Sequence, residues 1–187
     1  MSSSPSRAST LRLVGGRPCL DLVNTVSWRG DTSRLEEHLT ANPDCLVWGR
    51  RAGVVSSEEE SALAQFDVRP ALVSLRQAVT DHLADVGQPD LASLQPFVDD
   101  ALRHGELVFD QGRAGWQVTT LDASTPARRI ALDLLDHLTD PPGPVGRCGD
   151  PACGWVYVDT SRGHRRKWCS SEDCGNRARV RRYAARS

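Results

Sequence analysis

Hydrophobic positions recur at helical spacing through most of the chain, and strand-like alternation is confined to short runs. Leu72, Leu75, Val79 and Leu83 fall three or four residues apart within Pro70 to Val86; Leu91, Leu94, Val98 and Leu102 do so within Asp90 to Arg103, and Ile130, Leu134, Leu135 and Leu138 within Pro126 to Leu138. Each set lays an apolar stripe along one helix face. Pro18 to Trp28 reads as a further amphipathic helix, with proline in its first turn and Leu20 and Val23 on one face. Residues 34–40 and 43–52 predict short helices, the second opened by Asn42-Pro43. Ser56 or Ser57 ahead of three glutamates suits another helix start, because acidic side chains there complement the dipole. Pro96 either kinks its helix or delays the start. Thr10 to Val14 predicts a short strand stopped by Gly15-Gly16. Glu106 to Asp110 and Trp116 to Leu121, flanking the turn-rich 111–115, predict a β-hairpin.

Two stretches lack either period. Residues 1–9 are serine-rich with no apolar anchor and read as a disordered lead. Asp140 to Gly146 holds three prolines and two glycines, which cannot continue a helix and form a spacer too short to let the two sides separate. The expected organisation is therefore a lead at 1–9, an α-rich domain at 10–139, a linker at 140–146 and a small module at 147–187. The fold class is α+β: a mostly helical N-terminal domain with a small β-hairpin, followed by a compact C-terminal module.

The charge follows this division. Residues 147–187 carry ten Arg and Lys against four Asp and Glu, a balance of +6, while residues 1–146 carry thirteen against twenty, a balance of −7. A basic end suits a polyanion, and an acidic front can also attract that end. No apolar stretch approaches the roughly 20 residues needed to span a bilayer, so no membrane partner is expected. The polar N-terminus offers no apolar signal segment, and a cytoplasmic location is expected.

The module states its chemistry through Cys148, Cys153, Cys169 and Cys174, two C-x4-C pairs separated by fifteen residues. Two ligands on one tight turn supply two corners of a tetrahedron, and a second turn completes the zinc shell. Two disulfides or four unrelated buried thiols are the competing readings, but disulfide scaffolds belong to secreted chains. Four thiolates leave no coordination position for substrate, so Zn2+ here is structural and contributes folding energy. Trp155 to Asp159, a turn at Thr160 to Gly163 and a return over His164 to Trp168 predict a hairpin joining the two knuckles. After Cys174 the chain turns to helix formers, so that helix N-terminus faces the last thiolates. This is the treble-clef order. Arg177, Arg179, Arg181, Arg182 and Arg186 on that helix, with Arg162, Arg165, Arg166 and Lys167 ahead of it, form a candidate nucleic-acid surface. The competing reading is a solvated basic face that offsets thiolate charge. Val180, Tyr183 and Ala184 make a narrow stripe expected to pack on Trp155, Tyr157 or Trp168.

The run Cys148-Gly-Asp-Pro-Ala-Cys153-Gly-Trp-Val-Tyr-Val-Asp-Thr160, followed by Arg-Arg-Lys-Trp168-Cys169 and Cys174-Gly-Asn-Arg177, resembles the CGNR zinc finger. Leu13-Val-Gly-Gly-Arg-Pro-Cys-Leu-Asp21-Leu-Val-Asn24-Thr-Val resembles the opening of the ABATE domain, which precedes this finger in bacterial proteins regarded as stress-induced transcription regulators. The two resemblances imply a DNA-binding regulator with an upstream α-rich domain.

For that upstream domain two jobs stand open: sensing a small-molecule effector, or forming a homodimer. Arg17, Asp21, Asn24 and Trp28 sit on or near one predicted helix and are candidates to line a polar pocket. Equally, Asp21 could pair with Arg17 and Asn24 could cap a neighbouring helix. Cys19 and Cys45 lack partners at metal spacing and read as small buried hydrophobes. An enzyme is not expected. The five histidines are scattered, and no phosphate-binding glycine loop is present. The leading function is a zinc-dependent DNA-binding transcription regulator. The alternative is a structural or protein-interaction zinc module docked on the acidic domain, with a thiol redox switch as a further variant.

Overall fold

In the computed structural model, which describes residues 6–84, 91–110 and 112–185, the long apolar stripes form helices. These are α1 (Pro18–Val23), α2 (Asn42–Arg51), α3 (Ser57–Leu63), α4 (Arg69–Ala84), α5 (Gln95–Arg103), α6 (Thr125–Thr139) and α7 (Cys174–Ala184). Their ends follow local chemistry. The Ser56 hydroxyl accepts from the Glu59 amide at 3.2 Å while the Glu59 carboxylate accepts from the Ser56 amide at 2.9 Å, a reciprocal cap for α3. Ala41, ahead of α2, has no capping side chain, and Asp44 reaches back to accept from the amides of Thr40 and Ala41. Pro96 falls in the first turn of α5 and sets its start instead of kinking it. The end of the helix expected to run to Val86, and Arg186, lie outside the described residues.

Three antiparallel pairs accompany the helices: β1 (Val26–Ser27) with β2 (Glu36–Glu37), β3 (Glu106–Asp110) with β4 (Arg113–Gln117), and β5 (Val145–Arg147) with β6 (Val156–Val158). Several expectations are corrected here. The helix expected through Trp28 stops at Val23, where the Thr25 hydroxyl donates to the Leu22 carbonyl and Val26 enters the β1–β2 ladder opposite Glu37. Residues 34–40 form no helix, because Glu36 and Glu37 pair with β1 and the Glu37 carboxylate receives the buried Arg76 guanidinium and the Leu39 amide. Leu11 to Val14 run without a ladder, their carbonyls at Leu11 and Val14 accepting from Arg51 and Arg166. The β3–β4 turn is tighter than expected, with Leu107 opposite Trp116. Within the lead, Arg7–Ser9 form a 3₁₀ turn and Ala8 is fully buried, so the packed chain is already established at Ser6, whose hydroxyl donates to Asp44.

The core gathers Leu20 and Leu22 of α1, Leu72, Leu75 and Val79 of α4, and Ile130 and Leu134 of α6, with Trp48 of α2. Val156 and Val158 of β6 belong to the same core. The strand that follows the first cysteine pair therefore completes the hydrophobic interior of the helical part. Its ladder partner is also unexpected. β6 pairs with β5, which arises from the end of the presumed spacer, and His164 to Trp168 do not return as a strand.

Arg129 of α6 ties α3 to this core by donating to both Glu59 carboxylate oxygens at 2.7 Å each. That guanidinium, against the opposing effect of burial, pulls the Glu59 pKa down to about 2. A depressed carboxylate contributes stability that is present above its unfolded pKa, about 4.3, and is lost as pH falls toward 2. Glu59→Gln is expected to flatten the acid limb of the denaturant midpoint between about pH 5 and 2 relative to the parent. Superimposable acid limbs would remove the assignment.

Candidate metal centre and the surface around it

The four cysteine sulfurs all lie within 4.8 Å of one another, and local turns place them there. In the first knuckle the Cys153 amide donates to the Asp150 carbonyl at 2.9 Å, closing the turn, and the Cys148 amide donates to the Trp155 carbonyl at 2.9 Å. In the second, the Ser170 hydroxyl accepts from the Asp173 amide and the Ser170 carbonyl from the Gly175 amide, so α7 begins at Cys174 itself. Cys153 and Cys169 sulfurs stand 3.7 Å apart, and those of Cys169 and Cys174 3.5 Å. Tetrahedral zinc with Zn–S bonds of about 2.3 Å requires sulfurs about 3.8 Å apart. The donor set and its spacing fit zinc. All four thiols are buried, and buried thiolates this close repel unless a divalent cation stands between them. The cluster is a structural zinc site held by Cys148, Cys153, Cys169 and Cys174. Cys19 and Cys45 are buried elsewhere, and burial pushes the Cys45 thiol up to about 12.

Arg177 is turned inward. Its Nη2 donates to the Cys174 sulfur at 2.7 Å, its Nε to the nearly inaccessible Asp150 carboxylate at 3.3 Å, and its guanidinium lies 4.7 Å from the Trp28 ring centroid. Burial works against this charge, but the Cys174 sulfur and Asp150 outweigh it and raise the Arg177 pKa. Arg181 also reaches Asp150, at 3.3 Å. Arg166 is likewise committed to structure: it stacks on Tyr157 at 4.0 Å and donates to the carbonyls of Val14, Val158, Trp168 and Cys169. Arg166 and Arg177, both candidates for nucleic acid from sequence, are thus fixed by the finger's own architecture. Arg162, Arg165, Lys167, Arg179, Arg181 and Arg182 are exposed, with Arg179 also donating to the Ser171 carbonyl. The stripe expected to pack on the aromatics is not buried. Val180 is 60% and Tyr183 78% exposed, because α7 buries Cys174, Gly175 and Ala178 instead.

The four residues proposed to line a polar pocket are dispersed. Arg17 pairs with Asp133 and Asp136 of α6. Asp21 accepts from the Gly15 amide at 2.7 Å, and burial, outweighing that bond, lifts its pKa to about 6. Asn24 faces the finger: its amide donates to the Val156 carbonyl and its Oδ1 accepts from the Val156 amide, each at 2.9 Å. Trp28 lies beneath Arg34 and Arg177. Neither the Arg17–Asp21 pair nor a helix cap by Asn24 forms.

Asn24 and Trp28 belong to a seam that sequence reasoning missed. The Trp155 indole donates to the Val26 carbonyl, the Val158 amide to the Gly15 carbonyl, and the Gly30 amide to the Ala152 carbonyl. Arg12 pairs with Glu172 and Asp173, and Arg147 donates to the Leu83 carbonyl. The backbones touch closely: a Cβ on Gly30 would lie 1.8 Å from the Pro151 carbonyl oxygen, and one on Gly154 would meet Arg29 at 2.6 Å. The short spacer implied that the two parts sit together, but for the residues of the seam the sequence offered no more than the glycines near Trp28 and Cys153, which look like ordinary turn residues.

Family comparison agrees with this arrangement. The CGNR zinc finger model matches residues 145–187, and the ABATE model, described as a putative stress-induced transcription regulator, matches residues 16–141. No curated protein matches the chain. With the ABATE model spanning more than half of its length and a four-cysteine zinc finger sealed onto it, the chain belongs to the ABATE family and is a zinc-binding protein of regulatory type.

Proposed function

We propose that the protein is a bacterial cytoplasmic transcription regulator that binds DNA through the arginine-rich face around α7, with the ABATE portion, residues 10–139, as the sensing or dimerising part. The observation that carries this is the exposure of α7 beyond the zinc site. Arg179 and Arg182 lie beside exposed Val180, and the residues of the helix after Ala178 are exposed. A helix with exposed guanidinium groups suits entry into a major groove, and Arg162, Arg165 and Lys167 on the preceding loop suit flanking phosphates. The treble-clef reading is retained for the order of knuckle, second knuckle and helix. A stress-linked role follows the family description alone.

Fluorescence anisotropy of a labelled duplex with the zinc-loaded protein tests this. About four phosphate contacts predict a loss of affinity on the order of 100-fold between 50 and 200 mM salt, and Arg179→Glu with Arg182→Glu should reduce binding at least tenfold at fixed salt. Absence of binding to any duplex at 50 mM salt would sink the proposal. The seam supports a second reading, that the finger is a structural module for the ABATE part. Under it the charge reversals leave nucleic-acid affinity unchanged.

A further inference from the structure

A groove of about 990 Å³ opens between α6, β4 and the α2–α3 turn, on the face of the ABATE portion that presents Arg17. Its charged groups are unevenly matched. Arg129 donates to Glu59 through two nitrogens and to the carbonyls of Val54 and Val118, so this pair closes on itself. Arg17, in contrast, is one cation shared by two carboxylates, Asp133 and Asp136. Asp133 is mostly covered and also accepts from the Cys19 amide at 2.9 Å, whereas the Asp136 side chain is 65% exposed. Among the described residues lining the groove, the excess charge is one negative unit, and it is presented at Asp136.

Part of the remaining wall is apolar, beside the polar side chains of Ser56, Gln117, Thr119 and Thr139. Leu132 and Leu135 flank Asp136 on α6, and Trp116 of β4 lies 45% exposed in the same groove. A large exposed indole and an under-compensated carboxylate in one concave site attract a cation through the ring face and by direct charge. A phosphate or carboxylate ligand would meet Asp136 and find both arginines already bound.

We infer that this groove is a binding site for an organic cation with an apolar body, held by the Asp136 carboxylate and the Trp116 indole. The inference supplies the ligand class for the sensing role proposed above and rests on that reading for its biological use. The site is placed to act on the finger. Arg17, which faces the groove, is the N-cap of α1, and Asn24, at the opposite end of this six-residue helix, holds Val156. A cation that draws Asp136 away from Arg17 acts on α1, a helix that meets both the groove and the finger.

Calorimetric titration of the zinc-loaded full chain with tetraphenylphosphonium and with tetraphenylborate, ions of nearly equal shape and opposite charge, tests the inference without involving DNA. Tetraphenylphosphonium is expected to bind saturably at one site, at least tenfold more tightly than the borate. Asp136→Asn should weaken it about tenfold and Trp116→Ala several-fold, while Phe109→Ser, which removes an exposed aromatic outside the groove, leaves it unchanged. Equal or tighter binding of the borate, insensitivity to both groove variants, or no binding of the phosphonium at 1 mM overturns the proposal. Failure of DNA binding leaves this result untouched, and the reverse holds as well.

Discussion

Replacing Cys169 by serine, or removing zinc with a chelator, is expected to unfold the ABATE helices together with the finger. The reason lies in where β6 sits. Val156 and Val158 are part of the core formed by α1, α4 and α6, and the strand carrying them follows directly on the first knuckle. Without metal, four buried thiols have no partner strong enough to hold the two knuckles, and β5–β6 loses its anchor. Structural zinc in a finger contributes on the order of 10 kcal/mol or more, comparable with the whole stability of a domain. Far-UV circular dichroism should therefore show loss of most helix signal on chelation, and calorimetry of the zinc-loaded chain should show one transition. Retention of the ABATE helices after zinc removal, with only the finger becoming protease-sensitive, would refute this coupling.

Asn24→Asp should be nearly as damaging although it alters little more than one atom. Asn24 is 1% exposed, and its two bonds serve both the amide and the carbonyl of Val156. An aspartate keeps the acceptor but sets a second carboxylate oxygen against the Val156 carbonyl in a buried site. Burying a charge there and orphaning a carbonyl costs about 3 kcal/mol or more. The sign with pH is also fixed. The new carboxyl must have a raised pKa in the folded state, so the variant recovers stability as pH falls below that value, where the protonated acid donates to Val156. Urea midpoints at pH 7.5 and 5.5 measure both effects; a loss below about 0.5 kcal/mol at the higher pH would show that the Asn24 contact does not matter.

The parts of the fold that sequence made legible are those governed by local period and spacing. Helices α4, α5 and α6 arise from residues three and four apart, although Leu91 lies exposed ahead of α5 and Leu138 faces outward on α6; the ligands come from two short turns, so neither needs knowledge of distant chain. What escaped was decided at long range. Residues 34–40 carry no strong signal of their own, and their strand form depends on β1 and on buried Arg76. β5 hides in a proline- and glycine-rich stretch because its partner lies across the first knuckle. The cationic surface was overcounted for the same reason. Arginines look alike in sequence, and only the carbonyl cage around Arg166 and the inaccessible Asp150 beside Arg177 distinguish structural from exposed guanidinium groups.

The contact of Gly30 with the Pro151 carbonyl has an implication for domain grafting. Zinc modules are commonly pictured as interchangeable cassettes. Here the loop from Trp28 to Gly30 is moulded to the first knuckle with no room for one extra carbon, and Gly154 answers it from the other side. A graft that brings in a foreign finger without this loop, or the loop without its finger, would join two surfaces that do not mate. A workable chimera would have to exchange both together.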